Sequence, residues 1–403
     1  MSPRDADPDR PSHSLRRGAL TAILLVAGGV ALWAVLWTVE RPHAGYDTLW
    51  YSMYAYQDAG APVPESWQRS WDLVQREADP DLLALLRRAP SGAWWSGWDD
   101  PSRARWPGIY RERPLMPLIG ALAVPILGTD APLVPSVVAV VLLVLVAGLV
   151  LAPLAGWTVT AAFLLLTAAN PFVARWLIYL TTDSLALALW FAVMALAARY
   201  AVDGRTRCAV GVTFAALALA FTRPSATAVP LAMAACAGLA LLTGYPVWRR
   251  FAVTAGLTLL PVAIFVAYVA VAGLPSFADQ LQDIPTVHFS RPDVANPLAA
   301  VLARDLSVGR ILLRSLPGQP LVWLSLLGAV AGFLVARRWW TAPFMAAAAT
   351  VPLLLAVHPV LTEADRTLAP IWLSLNLGLA LLVSAAAARF RERRSPASST
   401  ATA

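Results

Sequence analysis

The chain has 403 residues, of which 58% are hydrophobic and 14% charged, and its mean hydropathy is +0.62. Soluble domains contain roughly 25% charged residues, so this composition excludes an ordinary soluble protein and predicts a chain solvated by lipid. Every one of the 31 basic residues is arginine, which excludes a lysine Schiff base or a lysine general base. The net charge of +7 resides in short arginine clusters between apolar segments, a pattern typical of membrane flanks rather than nucleic-acid binding.

Apolar segments of spanning length recur along the chain. A spanning helix needs about 20 apolar residues to cross a hydrocarbon layer of about 30 Å. We therefore predict an all-α polytopic membrane protein with about ten transmembrane helices. The predicted spans are residues 19–39, 133–154, 158–174, 182–200, 209–221, 225–242, 251–272, 321–336, 343–358 and 368–388. The first is too long for a signal-peptide core, and no small-residue cleavage site follows it, so we expect it to be retained.

Arginine clusters predict the orientation of these helices. They lie at residues 16–17, 199–207, 249–250, 337–338 and 389–394, which the ten-span topology brings to one membrane face. The positive-inside rule then makes that face cytoplasmic. We expect cytoplasmic tails at residues 1–18 and 389–403, a transmembrane domain at 19–388, and a long extracytoplasmic loop at 40–113.

Two kinds of feature stand out in and after the long loop. Residues 46–57 and 79–88 are predicted as short interfacial helices, and Trp94, Trp95, Trp98 and Trp106 form an aromatic cluster. This cluster is either an interfacial tryptophan belt or a platform that stacks on a sugar or a lipid headgroup. The apolar but proline-containing segment 114–127 is predicted to be re-entrant or to lie at the interface.

Four ionisable residues at predicted helix ends share the extracytoplasmic face: Asp47, Asp183, Arg223 and Arg366. Each has an ordinary explanation on its own. Asp183 can cap a helix, Arg223 can extend to lipid headgroups, and Asp47 can be a solvated loop acid. Together they favour chemistry on a lipid phosphate, because carboxylates activate hydroxyls or hold a divalent metal such as Mg or Mn, and arginines bind phosphate bidentately.

The order of these residues resembles the GT-C superfamily of membrane glycosyltransferases, and most closely its protein mannosyltransferase and aminoarabinose transferase branch. The resemblance covers most of the hydrophobic chain through short, degenerate motifs. They are Asp47-Thr48-Leu49-Trp50-Tyr51, Arg113-Pro114-Leu115-Met116-Pro117-Leu118, Thr182-Asp183-Ser184-Leu185, Thr222-Arg223-Pro224 and Asp365-Arg366-Thr367-Leu368-Ala369-Pro370. The chain departs from the family pattern in having a lone Asp47 where several relatives have paired acids.

The resemblance implies an inverting transfer of a sugar from a polyprenyl-phosphate donor to a lipid, glycan or protein acceptor of the cell envelope. Asp47 and Asp183 would be the catalytic carboxylates and the candidate ligands of a divalent metal. The phosphate would be bound by Arg223, Arg366 and Arg113. The sugar or lipid would contact Tyr51, Trp94, Trp95 and Trp98.

Two other classes of function stay open at this point. A transporter or lipid flippase also places polar groups inside a helical bundle, although the sequence has no clear inverted repeat or paired broken helices. A scaffold protein with the same fold and no turnover has the same sequence pattern. The sequence names neither the sugar nor the acceptor.

Overall fold

The computed structural model describes residues 13–88, 101–286, 291–354 and 364–394. Within these ranges the regular structure is helical, and the only β contact is an isolated bridge between Ala44 and Ala78. This result confirms the predicted all-α class.

The α-helices are numbered in chain order. They are α1 (His13–Val39), α2 (Tyr46–Asp58), α3 (Val63–Glu77), α4 (Pro80–Arg88), α5 (Pro101–Arg111), α6 (Leu115–Leu127), α7 (Val134–Val146), α8 (Ala152–Ala155), α9 (Trp157–Ala169), α10 (Pro171–Ile178), α11 (Thr182–Asp203), α12 (Thr206–Ala220), α13 (Ala228–Leu242), α14 (Trp248–Val271), α15 (Phe277–Asp283), α16 (Pro297–Ser315), α17 (Pro320–Ala336), α18 (Ala342–Thr350) and α19 (Ala364–Arg394).

The structure contains enough long apolar helices for a multi-pass membrane protein. Five candidate spans are Gly18–Val39, Leu115–Ala155, Thr182–Asp203, Trp248–Val271 and Asp365–Glu392. The pairs α9/α10 and α16/α17 are bent by 80° and 90°, and counting each pair as one span gives up to seven among the described residues. Helices α12 and α13 are apolar but shorter. The multi-pass class is confirmed, whereas the number ten stays a prediction.

The segment after the long loop contains two helices, as expected. Residues 114–127 and 133–154 were predicted as separate elements, and α6 and α7 are separated by a 3₁₀ turn (Gly128–Leu133) within a 41-residue helical stretch. The chain turns back at Gly128, because a Cβ at Gly120 would lie 3.8 Å from Pro132 Cα. Helix α6 packs on α2, where a Cβ at Gly120 would lie 3.0 Å from the Ala55 Cβ. The expected short helices exist as α2 and α4, and α3 and α5 are additional.

Helix α11 forms the centre of the bundle. It packs against α7, α10, α12, α18 and α19, and alanine and leucine make up most of its buried surface. Its last turn carries Asp203, which accepts from Arg199, and Arg250 donates to the Ala201 and Val202 carbonyls. The basic residues of this end are therefore separated from Asp183 by the length of the helix.

Helices α17 and α19 approach each other through glycine. A Cβ at Gly332 would lie 1.8 Å from the Gly378 carbonyl oxygen, and a Cβ at Gly378 would lie 2.6 Å from the Ala329 carbonyl oxygen. Neither obstacle is a flexible side chain, so these backbones can approach so closely only because both positions lack a Cβ. This seam positions α19, whose first turn carries Arg366.

We predict that Gly332→Ala destabilises the protein, because it forces α17 away from α19; the cost of such overpacking is about 1–3 kcal/mol. Thermal unfolding of the purified protein in detergent measures the effect. The matched control is Gly256→Ala in α14, where no atom lies within 4 Å of the added Cβ. Equal melting temperatures for the two variants would show that the seam is not tight.

Candidate functional site

The candidate site begins at the N-terminus of α11 with Asp183. Its side chain is only 2% exposed, and the Thr181 hydroxyl donates to its Oδ2 at 2.8 Å. Thr181 is the N-cap residue, but its hydroxyl makes no capping hydrogen bond. The Asp183 carboxylate faces Thr181 and the two arginines described next rather than the backbone N–H groups of the helix start.

Arg366 joins the two aspartates. Its Nε donates to Asp183 Oδ2 at 2.5 Å, and its Nη2 lies 2.6 Å from Asp47 Oδ2. Asp183 and Arg366 are 183 positions apart in the chain. The second arginine, Arg223, follows α12 and forms an ion pair with Asp183. The structure thus brings together the four residues that the sequence singled out.

Asp47 and Asp183 differ in accessibility. Asp47 is the second residue of α2, and its side chain is 17% exposed against 2% for Asp183. The Tyr110 hydroxyl of α5 donates to Asp47 Oδ1 at 3.0 Å. Of the two carboxylates, Asp47 is the one that an incoming molecule can reach, whereas Asp183 is enclosed by Thr181 and the arginines.

Aromatic side chains of α2 and α5 support Asp47. The Tyr110 ring stacks on Trp50 at 5.6 Å between centroids and meets Tyr51 edge-on at 5.4 Å. The Tyr51 hydroxyl accepts from Arg113 Nη1 at 2.8 Å, and the Tyr51 side chain is buried. Tyr51 therefore anchors Arg113 beside the site, and its predicted contact with a sugar stays a prediction. The predicted platform residues Trp94, Trp95 and Trp98 lie outside the described residues.

Arg175 was missed by the sequence reasoning. Its guanidinium carbon lies 5.3 Å from the centre of the Trp176 ring and 5.5 Å from that of Tyr179, and the Arg366 guanidinium carbon lies 6.0 Å from the same Trp176 ring. Within the described residues no carboxylate pairs with Arg175, and its buried Nε has no hydrogen-bond partner. The signal in the sequence was a single arginine at the end of an apolar segment, outside every arginine cluster.

Among the described residues, the site has more arginines than carboxylates. Arg366 pairs with both aspartates and Arg223 with Asp183, Arg113 donates to Tyr51, and Arg175 shares the Trp176 ring with Arg366. Three helix N-termini add to the positive potential, because α2, α11 and α19 begin within three residues of Asp47, Asp183 and Arg366 respectively. Arg366 lies in the first turn of α19, where the positive end of the helix dipole disfavours a cation. The two carboxylates offset this repulsion as well as the charge of Arg366.

A divalent metal fits this site poorly. Both oxygens of Asp47 and both oxygens of Asp183 already face an arginine or a hydroxyl donor, so a cation would have to displace guanidinium groups. The residues that the structure describes contain no cluster of three or more His, Cys, Asp or Glu side chains able to hold a metal. The arginines supply the positive charge that a metal would otherwise provide.

Comparison of the chain with protein-family models, curated proteins and solved structures finds no match.

Glu112 lies in the link between α5 and α6, next to Arg113, and its side chain is fully buried. Gln280 of α15 donates to its Oε2 at 2.6 Å, whereas Oε1 has no hydrogen-bond partner in the described part of the chain. Burial raises the pKa of Glu112 to about 8, and the nearby Arg113 only partly opposes this shift. Glu112 is therefore protonated at neutral pH.

We predict that Glu112→Gln removes a pH dependence of stability. Folding raises the pKa of Glu112. Its contribution to the free energy of unfolding is therefore fully present below pH 4.5 and is lost as the pH rises towards 8, by at most about 1.4 kcal/mol per pH unit. Between pH 5 and 9 the melting temperature of the wild type should fall as the pH rises, and that of Glu112→Gln should change less. Glu65→Gln on α3, an exposed position, is the control. Parallel curves for wild type and Glu112→Gln would contradict the assignment.

Proposed function

We propose that the chain is a membrane glycosyltransferase with a GT-C-like fold. It transfers a sugar from a polyprenyl-phosphate donor to a cell-envelope acceptor. The observation that carries this proposal is the joining of Asp47 and Asp183 by Arg366 in one site of excess positive charge. The arginines of such a site suit a negatively charged substrate. Its carboxylates suit an acceptor hydroxyl that must lose a proton.

The proposed location of the site is the extracytoplasmic face. Asp183 starts α11, and Arg199, Arg205 and Arg250 cluster around the opposite end of the same helix. The positive-inside rule makes the arginine-rich end cytoplasmic, with both termini on that side and about ten spans in all. By this orientation the long loop and Asp47 face outward.

The proposed chemistry is a direct displacement at the anomeric carbon. Asp47 accepts the proton of the acceptor hydroxyl, and the acceptor oxygen forms a bond to the anomeric carbon. The bond between that carbon and the phosphate oxygen breaks, and polyprenyl phosphate leaves with the electron pair. Asp47 suits the role of base because its carboxylate stays partly accessible while Arg366 and Tyr110 hold its two oxygens in position.

The other charged residues are proposed to bind the phosphate of the leaving group. Asp183 holds Arg366 and Arg223 in place, so that their guanidinium groups face the growing charge of the phosphate. No carboxylate of the described chain pairs with Arg175, and we assign it to the donor phosphate in the ground state. This proposed mechanism needs no metal.

A direct assay tests the function. Purified protein given polyprenyl-phosphate sugars should release polyprenyl phosphate and form a glycosylated acceptor, and Asp47→Asn should lower the rate at least about 100-fold because the base is lost. Asp81→Asn, an exposed acid of the same loop, is the matched control. Failure to release polyprenyl phosphate across a broad donor panel, or full activity of Asp47→Asn, would overturn the proposal.

A second prediction separates donor binding from chemistry. Arg175→Ala should raise the KM for the donor about 10- to 100-fold with a smaller effect on kcat, because a charge-assisted hydrogen bond to phosphate is worth roughly 1.5–3 kcal/mol. Steady-state kinetics with varied donor concentration measures this. The control is Arg69→Ala, whose side chain pairs with Glu65 on the surface of α3. An unchanged KM in Arg175→Ala would remove Arg175 from the phosphate site.

A lipid flippase or transporter is the second candidate. The bends of 80° between α9 and α10 and 90° between α16 and α17 favour it, because discontinuous helices line many transport sites. Asn170, at the first break, bonds through its amide to Asn376 of α19. The two functions have different products. A flippase moves an intact labelled lipid between leaflets of a vesicle, whereas a transferase cleaves the bond between phosphate and sugar.

A further inference from the structure

Helix α16 begins and ends at the same end of the bundle. Before it, Gln280 of α15 donates to Glu112 beside the candidate site. After it, α17 ends close to Trp339, which packs against the buried cluster that contains Ala201, in the last turn of α11. Because α17 runs towards that end, its start lies at the end that carries Asp183. Helix α16 therefore starts and finishes on the side of the site, without crossing the bundle.

The direction of α16 follows from its bend of 90° with α17. Since α17 runs between the two ends of the bundle, α16 lies across one end, parallel to the surface of a surrounding membrane. Its composition agrees with this placement, because its 19 residues carry four charges, at positions 304, 305, 310 and 314. Charged side chains are costly at the centre of a bilayer but common in helices that lie in the membrane interface.

Two rows of side chains on α16 have different surroundings. Val301 and Val308, seven positions apart, are its buried residues and face the protein. Leu298, Leu302 and Leu306 follow one another at intervals of four and are 47% to 64% exposed. Side chains four positions apart lie on one side of a helix, so these leucines form a continuous apolar row that no part of the described chain covers.

Arg310 and Arg314 continue the leucine row towards the end of α16, and both are exposed. Within the residues that the structure describes, no carboxylate pairs with either of them. The one acid of α16, Asp305, lies four positions after Val301 and has a buried carboxylate oxygen, so it belongs to the protein-facing side. The helix dipole favours cations at this end of α16 but does not account for the leucines before them. The row therefore combines an apolar strip with two exposed cations.

We propose that α16 is a docking surface for anionic phospholipids, with acyl chains against the leucine row and lipid phosphates on Arg310 and Arg314. A guanidinium group binds phosphate oxygens in pairs, and a headgroup of net negative charge supplies the counter-charge that the row lacks. The proposal does not depend on the transferase function.

A second copy of the chain fits this surface less well. In either direction of pairing, the row of the second copy would place leucines or arginines against Arg310 and Arg314. These charges would then be buried without a carboxylate partner, which is costly. Lipid leaves the guanidinium groups at the level of the headgroups and buries only the leucines.

The placement of the leucine row is tested by fluorescence quenching in vesicles. The full chain with Cys208→Ala and Cys236→Ala lacks both native cysteines, which are buried, and a fluorophore is attached after Leu302→Cys or Ser307→Cys. Ser307 is exposed and lies about 140° around the helix from Leu302. In phosphatidylcholine vesicles with a nitroxide on the lipid acyl chain, the label at 302 should be quenched severalfold more than the label at 307. Equal quenching at the two positions would contradict the proposal, and so would a label at 302 that lipid does not quench, because protein would then cover the row.

The preference for anionic lipid is tested with the same label at 302 and a nitroxide carried by either phosphatidylglycerol or phosphatidylcholine at equal mole fraction. Phosphatidylglycerol should quench more strongly at low salt, because each arginine near the surface concentrates anionic lipid roughly fivefold, and this difference should vanish at about 1 M salt. Arg310→Gln/Arg314→Gln should abolish the preference. Arg389→Gln/Arg391→Gln, near the end of α19, removes the same charge and should retain it. Equal quenching by the two lipids before the arginines are replaced, or an undiminished preference in Arg310→Gln/Arg314→Gln, would overturn the proposal.

Discussion

The arrangement depends on one buried ionic contact, the bond between Arg366 and Asp183. Removing a charge from water costs several kcal/mol, so neither group is stable in this position alone. Each requires the other, and together they require α11 and α19 to meet at their N-terminal ends. Asp47 and Arg223 then complete the charge balance. The contact therefore selects one packing of the helices as well as forming the centre of the site.

The two aspartates have different surroundings, which suit them to different roles. Asp183 is enclosed and engages two arginines, which makes it a fixed anchor. Asp47 shares one of these arginines but retains an accessible edge and a tyrosine donor, which suits a group that exchanges a proton. Among the described residues of the site, arginines outnumber carboxylates, so the net charge of these side chains is positive. Under the proposed function, a phosphate-bearing substrate would offset this charge.

The sequence predicted the class and the central residues but not their neighbours. Asp47, Asp183, Arg223 and Arg366 were recognisable because charges at the ends of apolar segments are costly and therefore informative. Arg175 was overlooked because it follows a segment with the composition of an ordinary span, whereas the structure has an 80° bend at Asn170 and places Arg175 in the separate helix α10. Tyr110 lies in α5, a loop helix that has no apolar periodicity, and Glu112 lies just after it.

Helix α11 has a consequence for the energy supply of any reaction at its N-terminus. Its 22 residues span about 33 Å, close to the thickness of a bilayer core, with Asp183 at one end and the arginine cluster at the other. In the proposed orientation the reacting group is a full membrane away from cytosolic nucleotides. A nucleoside-diphosphate sugar cannot reach it, so the free energy for bond formation has to arrive already stored in a molecule that dissolves in the membrane.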